Sequence, residues 1–142
     1  MKQEYYLKFN DYTADPNKLP NESGIYLIRK TKMEDDARLS VKLLYIGKAE
    51  NLNERFAYPN SHEGYVGAQE ICDNSEDHSY VSISYALCSR SNLDRIEACL
   101  IYVNRPALNT ANKQTFDYDE TIVYVSGTRK SNLNDINIAK RK

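Results

Sequence analysis

Two short runs of branched and aromatic residues constrain this chain more than any other feature. They are Gly24-Ile-Tyr-Leu-Ile28 and Val41-Lys-Leu-Leu-Tyr-Ile46. Each has the composition of a β-strand, and each is bounded by punctuating residues: Pro20 and Ser23-Gly24 before the first, Gly47 after the second. Joined by the polar stretch Arg29–Ser40, they predict an antiparallel hairpin whose connection, around Thr31–Arg38, is an exposed loop.

The remaining elements follow from local chemistry. Asn51-Leu-Asn-Glu54 has a capping residue and a reciprocal carboxylate three positions on, so a short helix starts there, carries Arg55 and Phe56, and stops before Pro59. A helix around Val66–Cys72 fits the polar stretch that follows. Tyr80–Leu87 alternates with period two and reads as a third strand. Ser91-Asn-Leu-Asp94 repeats the capping pattern and opens a helix to about Tyr102, with Pro106 limiting its extension. Thr121–Val125 reads as a late edge strand, and the basic tail after Gly127 as a mobile one. The result is an α+β fold: a small antiparallel three-stranded sheet flanked by helices, with a further edge strand near the C-terminus. The chain divides into a lead-in (1–22), a central domain (23–112) and a C-terminal extension (113–142).

At 142 residues the chain suits one domain, which on folding removes roughly two-thirds of its surface from water. No run approaches the roughly 20 apolar residues of a membrane helix, and the N-terminus has no signal-peptide core. Cys72, Cys88 and Cys99 have no paired spacing and read as reduced thiols of a cytoplasmic protein. A net charge of -1 excludes a uniformly basic nucleic-acid binder. Charge is unevenly placed: 62–80 holds acidic residues and no Lys or Arg, whereas Arg129, Lys130, Lys140, Arg141 and Lys142 form a basic end.

Glu97 is the residue most pregnant with chemistry. It lies within the helical stripe of Leu93, Ile96, Leu100 and Ile101, where a carboxylate needs a cation, a metal or strong donors. A salt bridge to Lys48 or Arg55 at the stripe's edge would satisfy it as well as an active-site role. Tyr26 and Tyr45 fall on one sheet face if they are opposed in the hairpin. An ordinary cross-strand aromatic pair explains them equally.

Gly24-Ile25-Tyr26 and Tyr45-Ile46-Gly47 spell the two tripeptides of the GIY-YIG nuclease family, which residues 23–112 resemble. Lys48, Arg55 after Asn51-Leu52, Glu97 in Ile96-Glu-Ala-Cys-Leu-Ile101, and Asn109 in Arg105-Pro-Ala-Leu-Asn109 complete the ordered set. The stretch 45–55 is most similar to the nuclease module of the bacterial nucleotide-excision-repair endonuclease. The resemblance implies a metal-dependent endonuclease that hydrolyses phosphodiester bonds of DNA, with RNA left open, using one Mg²⁺ or Mn²⁺ ion. Tyr26 and Tyr45 would sit beside the scissile phosphate, and one of them, or Lys48, would hold or deprotonate the attacking water. Arg55 would stabilise phosphate charge, Glu97 would hold the metal, and Asn109 would support the site. Gly24 and Gly47 would permit tight turns and close backbone approach.

The chain departs from the family's pattern in two places. The gap between Tyr26 and Tyr45 is longer than in compact members. Where many members carry a His one helical turn after the arginine, this chain has Pro59; His62 and His78 lie in polar stretches that read as solvated. No zinc motif, helix-turn-helix or long basic arm is present, so target selection would come from DNA structure, a protein partner or a homodimer. The competing reading is a catalytically weak or inactive module of this fold that binds nucleic acid or a protein partner.

Overall fold

The computed structural model describes residues 1–34, 37–76, 78–127 and 133–142, with the side chains of 33–41 set aside. In chain order the strands are β1 (Gln3–Phe9), β2 (Gly24–Glu34), β3 (Ala37–Ala49), β4 (Tyr80–Leu87), β5 (Thr121–Gly127) and β6 (Ile136–Ala139). The α-helices are α1 (Leu52–Arg55), α2 (Glu63–Asp73) and α3 (Leu93–Asn104).

The predicted antiparallel three-stranded sheet is present, in the order β3-β2-β4. Its hairpin is longer than expected. In place of an exposed loop over Thr31–Arg38, pairing continues through Lys30↔Lys42 and Thr31↔Val41 to Glu34↔Ala37. Asp35 and Asp36 lie outside the described residues. Two polar residues at the start of this stretch are buried, although Arg29 Nε and Nη1 have no hydrogen-bond partner among the described residues. Arg29 is buried with its guanidinium 4.3 Å from the Tyr12 ring centre, and the Thr31 and Ser82 hydroxyls hydrogen-bond at 2.6 Å. Burial lowers the Arg29 pKa to about 10.

A second sheet, ordered β1-β5-β6, joins the two ends of the chain. Strand β1 pairs in parallel with β5, and β6 pairs antiparallel with β5. This corrects two expectations. Thr121–Val125 belongs to the central strand of this second sheet, not to an added edge of the first. The tail after Gly127 contains a paired strand, although Arg129 and Lys130 fall outside the described residues. The alternation in β1 places Leu7 and Phe9 inward, and Asn137 of β6 anchors the tail by donating to the Val123 carbonyl.

The core has two parts, one on each face of the first sheet. Helix α3 fills the space between the two sheets, where Leu93, Ile96, Leu100 and Ile101 meet Ile25, Leu27 and Ile46 together with Leu7, Phe9 and Val123. On the opposite face α1 and α2 pack Leu52, Phe56, Ala68 and Cys72 against Tyr26, Ile28 and Ile83. Strand β3 is one edge of this sheet, and groups from both faces converge along it. Among the described residues no helix is long and apolar enough to cross a membrane.

Candidate active site

Register places the first functional pair. Tyr26 lies opposite Gly47, and Tyr45 opposite Ile28, so the two tyrosines are diagonal neighbours and not the directly opposed pair expected. Their rings remain on one face, with centroids 6.2 Å apart and planes 27° apart. The diagonal works because Gly47 has no side chain: a Cβ there would stand 2.2 Å from Tyr26 Cζ. Gly24 and Gly47 both sit within strands, so neither supplies a turn; close approach is their role.

Helix α1 carries Arg55. The Asn51 side chain accepts from Glu54 N at 3.0 Å, as the capping pattern predicts, while Leu52 N and Asn53 N donate to the carbonyls of Glu22 and Pro20. Phe56 then enters the core edge-on to Tyr26, with centroids 4.8 Å apart. The next turn brings His62, the residue that the sequence reading missed. His62 is 1% exposed, not solvated. It stacks on Phe56 at 5.0 Å and caps α2, its Nδ1 accepting from Tyr65 N at 3.2 Å. That bond fixes the tautomer. In the neutral ring the proton must sit on Nε2, which donates to the Tyr26 hydroxyl oxygen at 2.7 Å. Burial and the Arg55 charge pull the His62 pKa down to about 4, so the ring is neutral at pH 7. The sequence signal was its position just before a helix start. His78 is exposed, in agreement with the reading from sequence.

On the other face of β3, Lys48 reaches α3. Its ammonium contacts the Asp94 carboxylate and stands 4.0 Å from Glu97 Oε1. Glu97 thus has the Lys48 partner envisaged for it, yet its side chain is only 14% exposed. Burial pushes its pKa up, against the pull of Lys48. The capping pattern at Ser91 differs from expectation: a 3₁₀ turn over Arg90–Asn92 leads into α3, and Asn92 makes no side-chain cap. At the far end Arg105 adopts a left-handed conformation (φ 47°) and sends the chain back along β3. Leu108 N donates to the Leu44 carbonyl, and the Asn109 amide spans Ile46, accepting from its N–H and donating to its carbonyl, both at 2.9 Å. Asn109 therefore closes the edge of the strand that bears Tyr45 and Lys48.

These elements enclose a cleft of about 430 Å³. Tyr45, Arg55, Glu97 and Asn109 all line it, with Ser61, Glu63 and Gly64 from the α2 side and Thr110 and Asn112 from the returning loop. Tyr26, 1% exposed, stands behind Tyr45, and Lys48 lies at the rim on Glu97. Burial raises both phenols above their ordinary pKa, Tyr26 strongly, with Arg55 opposing in each case; for Tyr45 the Glu97 charge adds to the rise. Burial outweighs the opposing pull of Arg55 at both hydroxyls.

Among the described residues no three His, Cys, Asp or Glu side chains cluster as metal ligands. A desolvated carboxylate opening into a polar cleft suits a divalent ion bound by one protein ligand and otherwise by water, not an all-protein cage.

Comparison with known proteins shows a similarity over most of the chain. Over 108 residues, 75% of this chain, it is 29% identical to the UvrABC system protein C of Petrotoga mobilis. The chain spans 17% of that protein's length. No family model and no solved structure matches the chain.

Proposed function

We propose that this chain is a GIY-YIG-type endonuclease domain that hydrolyses phosphodiester bonds of DNA with the help of one divalent metal ion, Mg²⁺ or Mn²⁺. The observation that carries this reading is the convergence of Tyr45, Arg55, Glu97 and Asn109, from four separate segments, on one cleft at the edge of β3. The similarity to UvrABC system protein C points the same way, toward DNA incision in general.

Each side chain has a task that follows from its setting. The Arg55 guanidinium presents a planar donor fork to a phosphate in the cleft and offsets the charge that grows on it in the transition state. Tyr45 offers a hydroxyl to the attacking water or a phosphate oxygen. Tyr26 and His62 stand behind it and hold the aromatic wall in register. Glu97 would hold the metal ion, and Lys48 keeps that carboxylate aimed along the rim. The bound metal would supply Lewis-acid polarisation of the phosphate and a more acidic water. Asn109 sets the position of β3 through its two hydrogen bonds to the Ile46 backbone.

Target choice, by DNA structure, a protein partner or a second copy, belongs to the same proposal. So does RNA as an alternative substrate. Nicking of supercoiled plasmid tests the reading: open circles form with Mg²⁺ or Mn²⁺ and none with chelator. Folded protein that cuts neither plasmid, branched DNA nor RNA under these conditions would instead favour a binding module.

A further inference from the structure

The cations that follow β6 are rooted in the fold. Strand β6 stays paired up to Thr121↔Ala139. Beyond it, Arg141 N donates to the Tyr118 carbonyl at 2.8 Å, and Arg141 Nε stands 3.4 Å from the Asp119 carboxylate. These bonds fix the backbone that carries Lys140 and Lys142. Both lysines are exposed, and among the described residues neither has an ion-pair partner.

Lys140, Arg141 and Lys142 line a second cavity, of about 320 Å³, that shares no lining residue with the cleft. Its other walls are Tyr102 of α3 and the segment 114–117, which includes Phe116 and Asp117. The Tyr102 and Phe116 rings pack with centroids 5.9 Å apart and give the cavity an aromatic side. The cavity and the cleft stand on the same two supports. On α3, Ile101 lines the cleft and Tyr102 the cavity. On the returning loop, 110–112 line the cleft and 114–117 the cavity, with Lys113 between them tied to the Pro106 carbonyl at 3.0 Å. Residues 112 and 114 are two positions apart, so at most about 7 Å of backbone separates the two walls.

We propose that this cavity is a second DNA subsite, in which Lys140 and Lys142 hold a backbone phosphate of the strand whose scissile phosphate lies in the cleft. The inference rests on the nuclease reading. The two ammonium groups act on the phosphate as point charges and release its counterions, and the aromatic side receives the adjoining sugar or base. The Asp117 carboxylate on the same wall works against capture of a free anion, so the cavity acts on a strand already anchored at Arg55. A chain of net charge -1 thereby gains a local hold on the DNA backbone that its overall charge does not supply.

The test follows binding of a labelled DNA duplex in chelator from about 20 to 200 mM salt, and metal-dependent nicking on the same proteins. Wild type is compared with Lys140→Gln/Lys142→Gln and with Lys8→Gln/Lys42→Gln, whose two exposed lysines lie outside both openings. In the first variant the slope of log K against log salt should shrink by about 1–2, and KM should rise about tenfold with kcat within about twofold. The Lys8 and Lys42 variant should keep the wild-type slope and KM. Equal slopes for wild type and the Lys140 and Lys142 variant, or an equal loss in the Lys8 and Lys42 variant, would overturn the subsite. Wild type that binds no DNA at the lowest salt and cuts none would instead overturn the nuclease reading, so the two failures are distinct.

Discussion

Gly47 shows how a single hydrogen atom in place of a side chain organises the site. The Tyr26 ring occupies the space above its Cα, and that placement brings the hydroxyl to His62 and sets the ring beside Tyr45. Gly47→Ala would drive a methyl into Tyr26 Cζ, and the ring is walled in by Phe56 and His62. The variant is expected to lose about 1–3 kcal/mol in chemical denaturation, with nicking falling at the same time. A stability equal to wild type would mean that the ring has room to move. The tripeptides themselves were legible in the sequence, but the diagonal register was not. A pairing offset depends on bulges, and this hairpin shifts register between Ile28 and Arg29 and again between Lys32 and Met33.

At the scale of the element, His62 ties α2 to the sheet. It caps the helix and bonds β2, and protonation at Nδ1 would cost the cap, because that nitrogen could no longer accept from Tyr65 N. The sign is set by its lowered pKa. The unfolded chain binds a proton near pH 6.5 and the folded one near 4, so stability is full above pH 6.5 and falls as pH drops toward 4. The advantage of wild type over His62→Gln in urea unfolding should shrink by up to about 3 kcal/mol between pH 7 and pH 4. A constant difference would contradict the buried neutral ring. The sequence predicted a polar loop here because nothing local reveals that Phe56, Tyr26 and Tyr45 converge on this position. The α1 cap was legible from Asn51 and Glu54 because its chemistry spans four residues. Strand β4 was legible from its alternation, and its observed bounds, Tyr80–Leu87, match the sequence reading.

For the whole molecule, the two ends of the chain build a sheet that clamps α3 from behind, and α3 in turn presents Glu97 to the cleft. Strand β1 escaped the sequence reading because its partner β5 is distant in the chain and its outward positions carry Glu4, Tyr6 and Lys8, which look like a solvated lead-in. The cleft therefore depends on long-range pairing, while the identity of its residues depends on short motifs. This division explains why the site's members were readable before the scaffold that positions them.

The most direct measurement is plasmid nicking by Glu97→Ala in Mg²⁺ or Mn²⁺, with circular dichroism and thermal unfolding run on the same sample. Burial holds the Glu97 carboxyl above its ordinary pKa, so its charge is a cost to the fold at neutral pH, and the variant should melt at or above the wild-type temperature. Its nicking should fall below detection. A folded Glu97→Ala protein that nicks as fast as wild type would contradict the account.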